Sequence, residues 1–112
     1  MNEFLTWCDE RTRDCMQQKA TLTADGRGDE AAFMQIRANV YGIFRTVCTA
    51  LKGDMAQLQA RLTNIPAAWE TALTDAETHG DVQRAHIERI KLETVAGIRH
   101  YVNNLQEAKS HD

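Results

Sequence analysis

Apolar residues recur at three- and four-residue steps along most of this chain, the spacing of one face of an α-helix. The signal is clearest at Phe33, Ile36, Val40, Ile43, Val47 and Leu51. It runs on through Met55, Leu58, Leu62 and Ile65 without a change of phase. The simplest reading is one helix over residues 30–64, about 50 Å long. A break at Gly53-Asp54, with Asp54 capping a fresh helix, is the alternative. Met34, Tyr41, Cys48, Met55 and Leu62 make a second apolar column beside Phe33, Val40 and Val47. A helix with two adjacent columns packs against more than one neighbour.

A shorter helix is predicted before it, from about Glu3 to Leu22, with Asn2 as its cap. Its stripe of Phe4, Leu5, Cys8, Thr12, Cys15, Met16, Lys19 and Leu22 fills a sector about 120° wide, and Trp7 sits off it. Gly26 and Gly28 interrupt the pattern, and Asp29 is placed to cap the next helix. Asn64-Ile65-Pro66 marks a turn. The helix restarting there carries Trp69, Leu73 and Ala76 inward, and His79-Gly80-Asp81 is a candidate break with Asp81 as a cap. A last helix runs to about Ala108 on Ile87, Ile90, Thr94, Ile98, Tyr101 and Leu105, and the tail Lys109–Asp112 is expected to fray. Val40-Tyr41-Gly42-Ile43 and Val95-Ala96-Gly97-Ile98 share V-x-G-I, but their offsets from the preceding Gly-Asp pairs differ by three residues. Coincidence is the simpler account.

These elements predict an all-α fold: an antiparallel helical bundle of three to four helices with one long central helix, in one domain over residues 1–112. Composition agrees. Of 112 residues 43% are hydrophobic, enough for a core, and with one proline and six glycines neither a loop-rich β fold nor a disordered chain fits. The net charge of −3 lacks the basic excess that a nucleic-acid or membrane-surface binder needs. No secretory signal and no membrane-length apolar run is read, so a cytoplasmic location is expected.

The helix lengths carry the functional expectation. The first helix covers only about half of a 35-residue partner, so the half nearest Pro66 is left with two helices. Leu58, Leu62, Ile65, Trp69 and Leu73 lie there, and they predict an exposed apolar groove. Trp7 is a second contact candidate. The reading is a non-catalytic protein–protein interaction or self-assembly module, as a homodimer or docked on another helical protein. Breaks at Gly53 and Gly80 instead allow a closed monomeric bundle.

The alternative function is a ligand- or metal-binding bundle. His79, His86, Glu93 and His100 fall at steps of seven, about 10 Å apart, too far to share one metal. Asp75 with His79 and Glu107 with His111 are four apart, but neither pair has a third ligand in sight. No metal or cofactor is assigned. Cys8, Cys15 and Cys48 sit in apolar columns and read as reduced, buried thiols. Glu3, Asp9, Glu10 and Asp14 read as solvated, and no carboxylate occupies a core position to act as an acid or base. Gly26-Arg27-Gly28 lacks the Lys-Ser/Thr of a phosphate loop. Arg37, Arg45 and Lys52 make a basic middle, and Glu70, Asp75, Glu77 and Asp81 an acidic turn region. Head-to-tail pairing of the two between molecules competes with ordinary solvation. Three cations are too few for a nucleic-acid site.

Overall fold

A computed structural model describes residues 2–110. Five helices follow in order: α1 Asn2–Ala24, α2 Gly28–Ala50, α3 Met55–Asn64, α4 Ala67–Thr78 and α5 Val82–Ser110. No strand occurs among the described residues. The all-α bundle is therefore as expected. His111 and Asp112, and with them the Glu107–His111 pair, lie outside the described residues, as does the Asn2 side chain expected to cap α1.

Cross-helix contacts fix the directions. Lys19 Nζ reaches Gln35 Oε1 at 2.7 Å and Arg45 Nε reaches Asp9 Oδ1 at 2.6 Å, so α1 and α2 are antiparallel. Phe33 meets His86, and Arg37 meets Glu93 and Thr94, so α5 runs parallel to α2. Gln59 pairs with Asn103 and Glu77 with Arg89, so α3 and α4 together run back along α5. The five helices thus make four rods running in alternating directions, with α3 and α4 sharing one rod.

The long central helix is not continuous. The expected helix over 30–64 stops at Ala50, and Leu51–Asp54 turn the chain before α3 begins. The cause is a left-handed cap. Lys52 has φ +52° and Gly53 φ +76°, and the Gly53 N–H donates to the Cys48 carbonyl at 3.1 Å. The same reach-back closes α1, from Arg27 to Leu22 with Gly26 at φ +76°, and α4, from Asp81 to Ala76 with Gly80 at φ +69°. Asp54 then caps α3, accepting from the Gln57 N–H at 3.2 Å. Asp81 likewise accepts from the Arg84 N–H at 3.1 Å. Asp29 is not a cap: the N-cap of α2 is Arg27, and Asp29 lies in the first turn, where its charge suits the helix dipole.

Pro66 separates α3 from α4 and has no N–H for the carbonyl four residues back. That carbonyl, of Leu62, instead accepts from Arg99 Nε at 3.0 Å and Nη2 at 2.7 Å. The kinked rod is thereby fastened to α5. Phe4, Cys8, Val40, Phe44, Cys48, Leu58, Leu62, Val95, Ile98 and Val102 form the buried core between the rods. The two V-x-G-I segments do not occupy equivalent environments: Ile98 is buried and Ile43 is exposed.

Candidate functional site

Around Pro66 the chain buries two residues of the predicted groove and leaves the other three partly exposed. Leu58 and Leu62 are 0% and 1% exposed, and Ile65, Trp69 and Leu73 are half-buried. The expectation counted two helices at this end. The break at Lys52-Gly53 frees α3 to turn onto α2 and α5, and it buries its own stripe there. Trp69 lies 6.5 Å from Phe44, edge to face, and Lys91 Nζ sits 5.7 Å above its ring. Trp7 is also spoken for. It stacks on Tyr101 and meets Tyr41 edge-on, half-buried between α1 and α5.

Surplus apolar surface survives elsewhere. Among the described residues Met16, Ile43 and Val82 are the exposed large hydrophobics, at 41%, 39% and 78%. Met16 and Val82 have no large aliphatic residue three, four or seven positions away on their helices. Ile43 does: Ile36 seven before it and Val47 four after it are both half-buried, and Val40 between them is buried. At 100° per residue Ile36, Ile43 and Val47 fall within about 40° of one another on α2. They are the outer edge of the strongest stripe in the sequence.

A second feature joins three helices. Leu22 of α1, Phe33 and Met34 of α2 and Ile90 of α5 line an open cleft of about 490 Å³. Arg27, Glu30, Arg37, His86, Arg89 and Glu93 complete it. His86 and Glu93 are two members of the seven-step column; His79 and His100 do not line the cleft. All four are exposed. Among the described residues no group of three His, Cys, Asp or Glu side chains is disposed to hold a metal. The His86 ring packs on Phe33, centroids 4.5 Å apart. No sequence signal marked Leu22, Arg27, Phe33, Met34 or Arg89 as neighbours, because periodicity within a helix does not encode the register between helices.

The basic middle does not present a free cationic face. Arg45 forks onto Asp9, and Arg37 reaches Glu93 at 3.4 Å. Lys52 sits exposed in the α2–α3 turn. The predicted acidic partners are similarly engaged in part, with Glu77 bound to Arg89 at 3.1 Å.

The three cysteines are free and buried. Burial is the leading cause of a raised pKa at each; Cys8, also facing Cys48 and Asp9, is pushed up from 9.0 to about 12. Thiols held protonated in this way are poor nucleophiles.

Comparison with protein-family models, with curated protein sequences and with solved structures finds no match. No helix among the described residues is long and apolar enough to cross a membrane.

Proposed function

We propose that this chain is a non-catalytic helical interaction module that pairs with a second copy of itself. The contact is the outer strip of α2, Ile36, Ile43 and Val47. The observation that carries the reading is Ile43, 39% exposed in the middle of an otherwise buried or half-buried aliphatic run. Two copies meeting across a two-fold axis would set these strips against each other and shield both. Full burial of one such side chain is worth about 1.5–3 kcal/mol, and only part of each remains to be gained. The dimer is therefore weak and concentration-dependent. The buried, protonated thiols support the non-catalytic part of the reading, and three cysteines left free suit a reducing cytoplasm.

Sedimentation velocity tests this. Between about 10 µM and 500 µM the mass should rise toward twice the 12.7 kDa chain. Ile43→Lys should hold it at one chain with unchanged helicity. A strict monomer over that range, or a dimer that Ile43→Lys leaves intact, overturns the proposal.

A further inference from the structure

The cleft lined mainly by α2 and α5 has a chemistry of its own, independent of the self-association reading. Phe33, Met34 and Ile90 give it an apolar lining, and three arginines, Arg27, Arg37 and Arg89, also line it. Its volume of about 490 Å³ lies within the range of small-molecule sites.

The guanidinium groups are incompletely used. Arg37 reaches Thr94 Oγ1 and Glu93 Oε2 at 3.4 Å each, longer than a good N–H···O bond. The Thr94 hydroxyl already donates to the Ile90 carbonyl at 2.7 Å. Arg89 places only Nη2 on Glu77, which does not line the cleft. An arginine side chain offers five N–H donors in a planar fork matched to a carboxylate, so both retain donors for an incoming anion. The fixed charges of the lining are three arginines against Glu30 and Glu93, and Arg27 is paired with Glu30. Glu77 offsets Arg89 from outside the lining, so no net positive excess remains, and a single negative charge is the most these surroundings suit. A phosphate dianion would bring a second negative charge beside Glu30 and Glu93.

We propose that this cleft binds an amphipathic monocarboxylate, its hydrocarbon or aryl body on Phe33, Met34 and Ile90 and its carboxylate on Arg37 and Arg89. A bound body of this kind would cover apolar wall that is now open to water, and the carboxylate would replace the long Arg37 contacts with short charge-assisted ones.

The test is a titration of the full chain, followed by amide NMR shifts, with three probes of one tail length: octanoate, octanol and octyl phosphate. Octanoate should shift residues 33, 34, 37 and 90, and should bind at least about fivefold tighter than the other two. Arg37→Gln, which removes the head contact, and Met34→Trp, which fills the cleft, should each weaken octanoate about tenfold or more. Arg89→Gln serves if either variant melts at a much lower temperature. The proposal is overturned by octanol or octyl phosphate binding as tightly as octanoate, by shifts centred elsewhere, by no shift at millimolar octanoate, or by full affinity in a folded arginine variant.

Discussion

Trp7 and Tyr101 lie face to face, ring centroids 4.2 Å apart and planes 4° from parallel. Tyr41 meets Trp7 edge-on at 5.5 Å, Phe4 lies within 6.3 Å of both stacked rings, and the Tyr101 hydroxyl donates to the Glu3 carbonyl at 3.3 Å. This cluster ties α1 to both α2 and α5. Toward the opposite ends of α1 and α5 lies the cleft whose lining includes Leu22 and His86. Tyr101→Ala should lower unfolding free energy by about 2–3 kcal/mol in urea. A double-mutant cycle with Trp7→Ala should return a coupling of about 0.5–1.5 kcal/mol. A coupling of zero would mean that the two rings share a site without stabilising each other.

The α2–α3 turn makes an opposite prediction for two adjacent residues. Lys52 occupies the left-handed cap position that glycine fills after α1 and α4. Relieving its side-chain clash is worth about 1–2 kcal/mol, of which glycine's extra freedom in the unfolded chain returns about half. Lys52→Gly should therefore stabilise by about 0.5–1 kcal/mol. Gly53→Ala, also at positive φ, should destabilise by about 1–2 kcal/mol. Asp54→Ala should cost about 1 kcal/mol by removing the α3 cap. Thermal and urea unfolding of the three variants check the signs.

The buried thiols set an alkaline limit. In the unfolded chain Cys8 titrates near 9.0, and in the folded chain only at about 12. Below pH 9 both states hold the proton and stability is unaffected. Above it the unfolded state releases a proton that the folded state keeps, so stability falls until the pH passes the folded value. Cys15 and Cys48 are shifted in the same direction and add to the slope. Urea midpoints should be level between pH 7 and pH 8.5 and decline by pH 10.5, and Cys8→Ala should reduce the decline. A thiol reagent at pH 8 should label the native protein no faster than it opens.

Glu88 offers a route to a more stable protein. Against the expectation that no carboxylate occupies a core position, it is 7% exposed; Oε1 accepts from Lys91 Nζ at 3.2 Å, and among the described residues Oε2 is buried without a hydrogen-bond partner. An unsatisfied buried oxygen costs about 1–3 kcal/mol. Glu88→Met keeps most of the volume and removes that oxygen, so it should raise stability by about 1 kcal/mol. A lower urea midpoint would show that the carboxylate contributes more than its contact with Lys91.

Much of the architecture was legible because local signals agreed. Gly26 and Gly80 sit where helices must reverse, Pro66 cannot continue α3, and Asp54 and Asp81 cap as their positions suggest. The core members Phe4, Cys8, Val40 and Ile98 follow from periodicity alone. The break at Lys52-Gly53 was harder to read. Leu51, Met55 and Leu58 keep the stripe in phase across it, and a lysine holds the position where glycine ends two other helices. A continuous rod would leave Leu58 and Leu62 uncovered, whereas the turn lets α3 bury both. Met16 shows the opposite limit: it lies at the edge of the α1 stripe and is exposed. The cleft was not readable at all, because Leu22, Arg37 and His86 become neighbours only when three helices take up their register.

The fork of Arg99 on the Leu62 carbonyl bears on how the molecule comes apart. It clasps the proline joint to the final helix, so α3 and α4 cannot peel away while α5 stays. Slow deuterium uptake should therefore divide the chain into two blocks, the α1–α2 hairpin and everything after Asp54. The second block should dissolve into separately opening pieces once Arg99 is shortened to alanine.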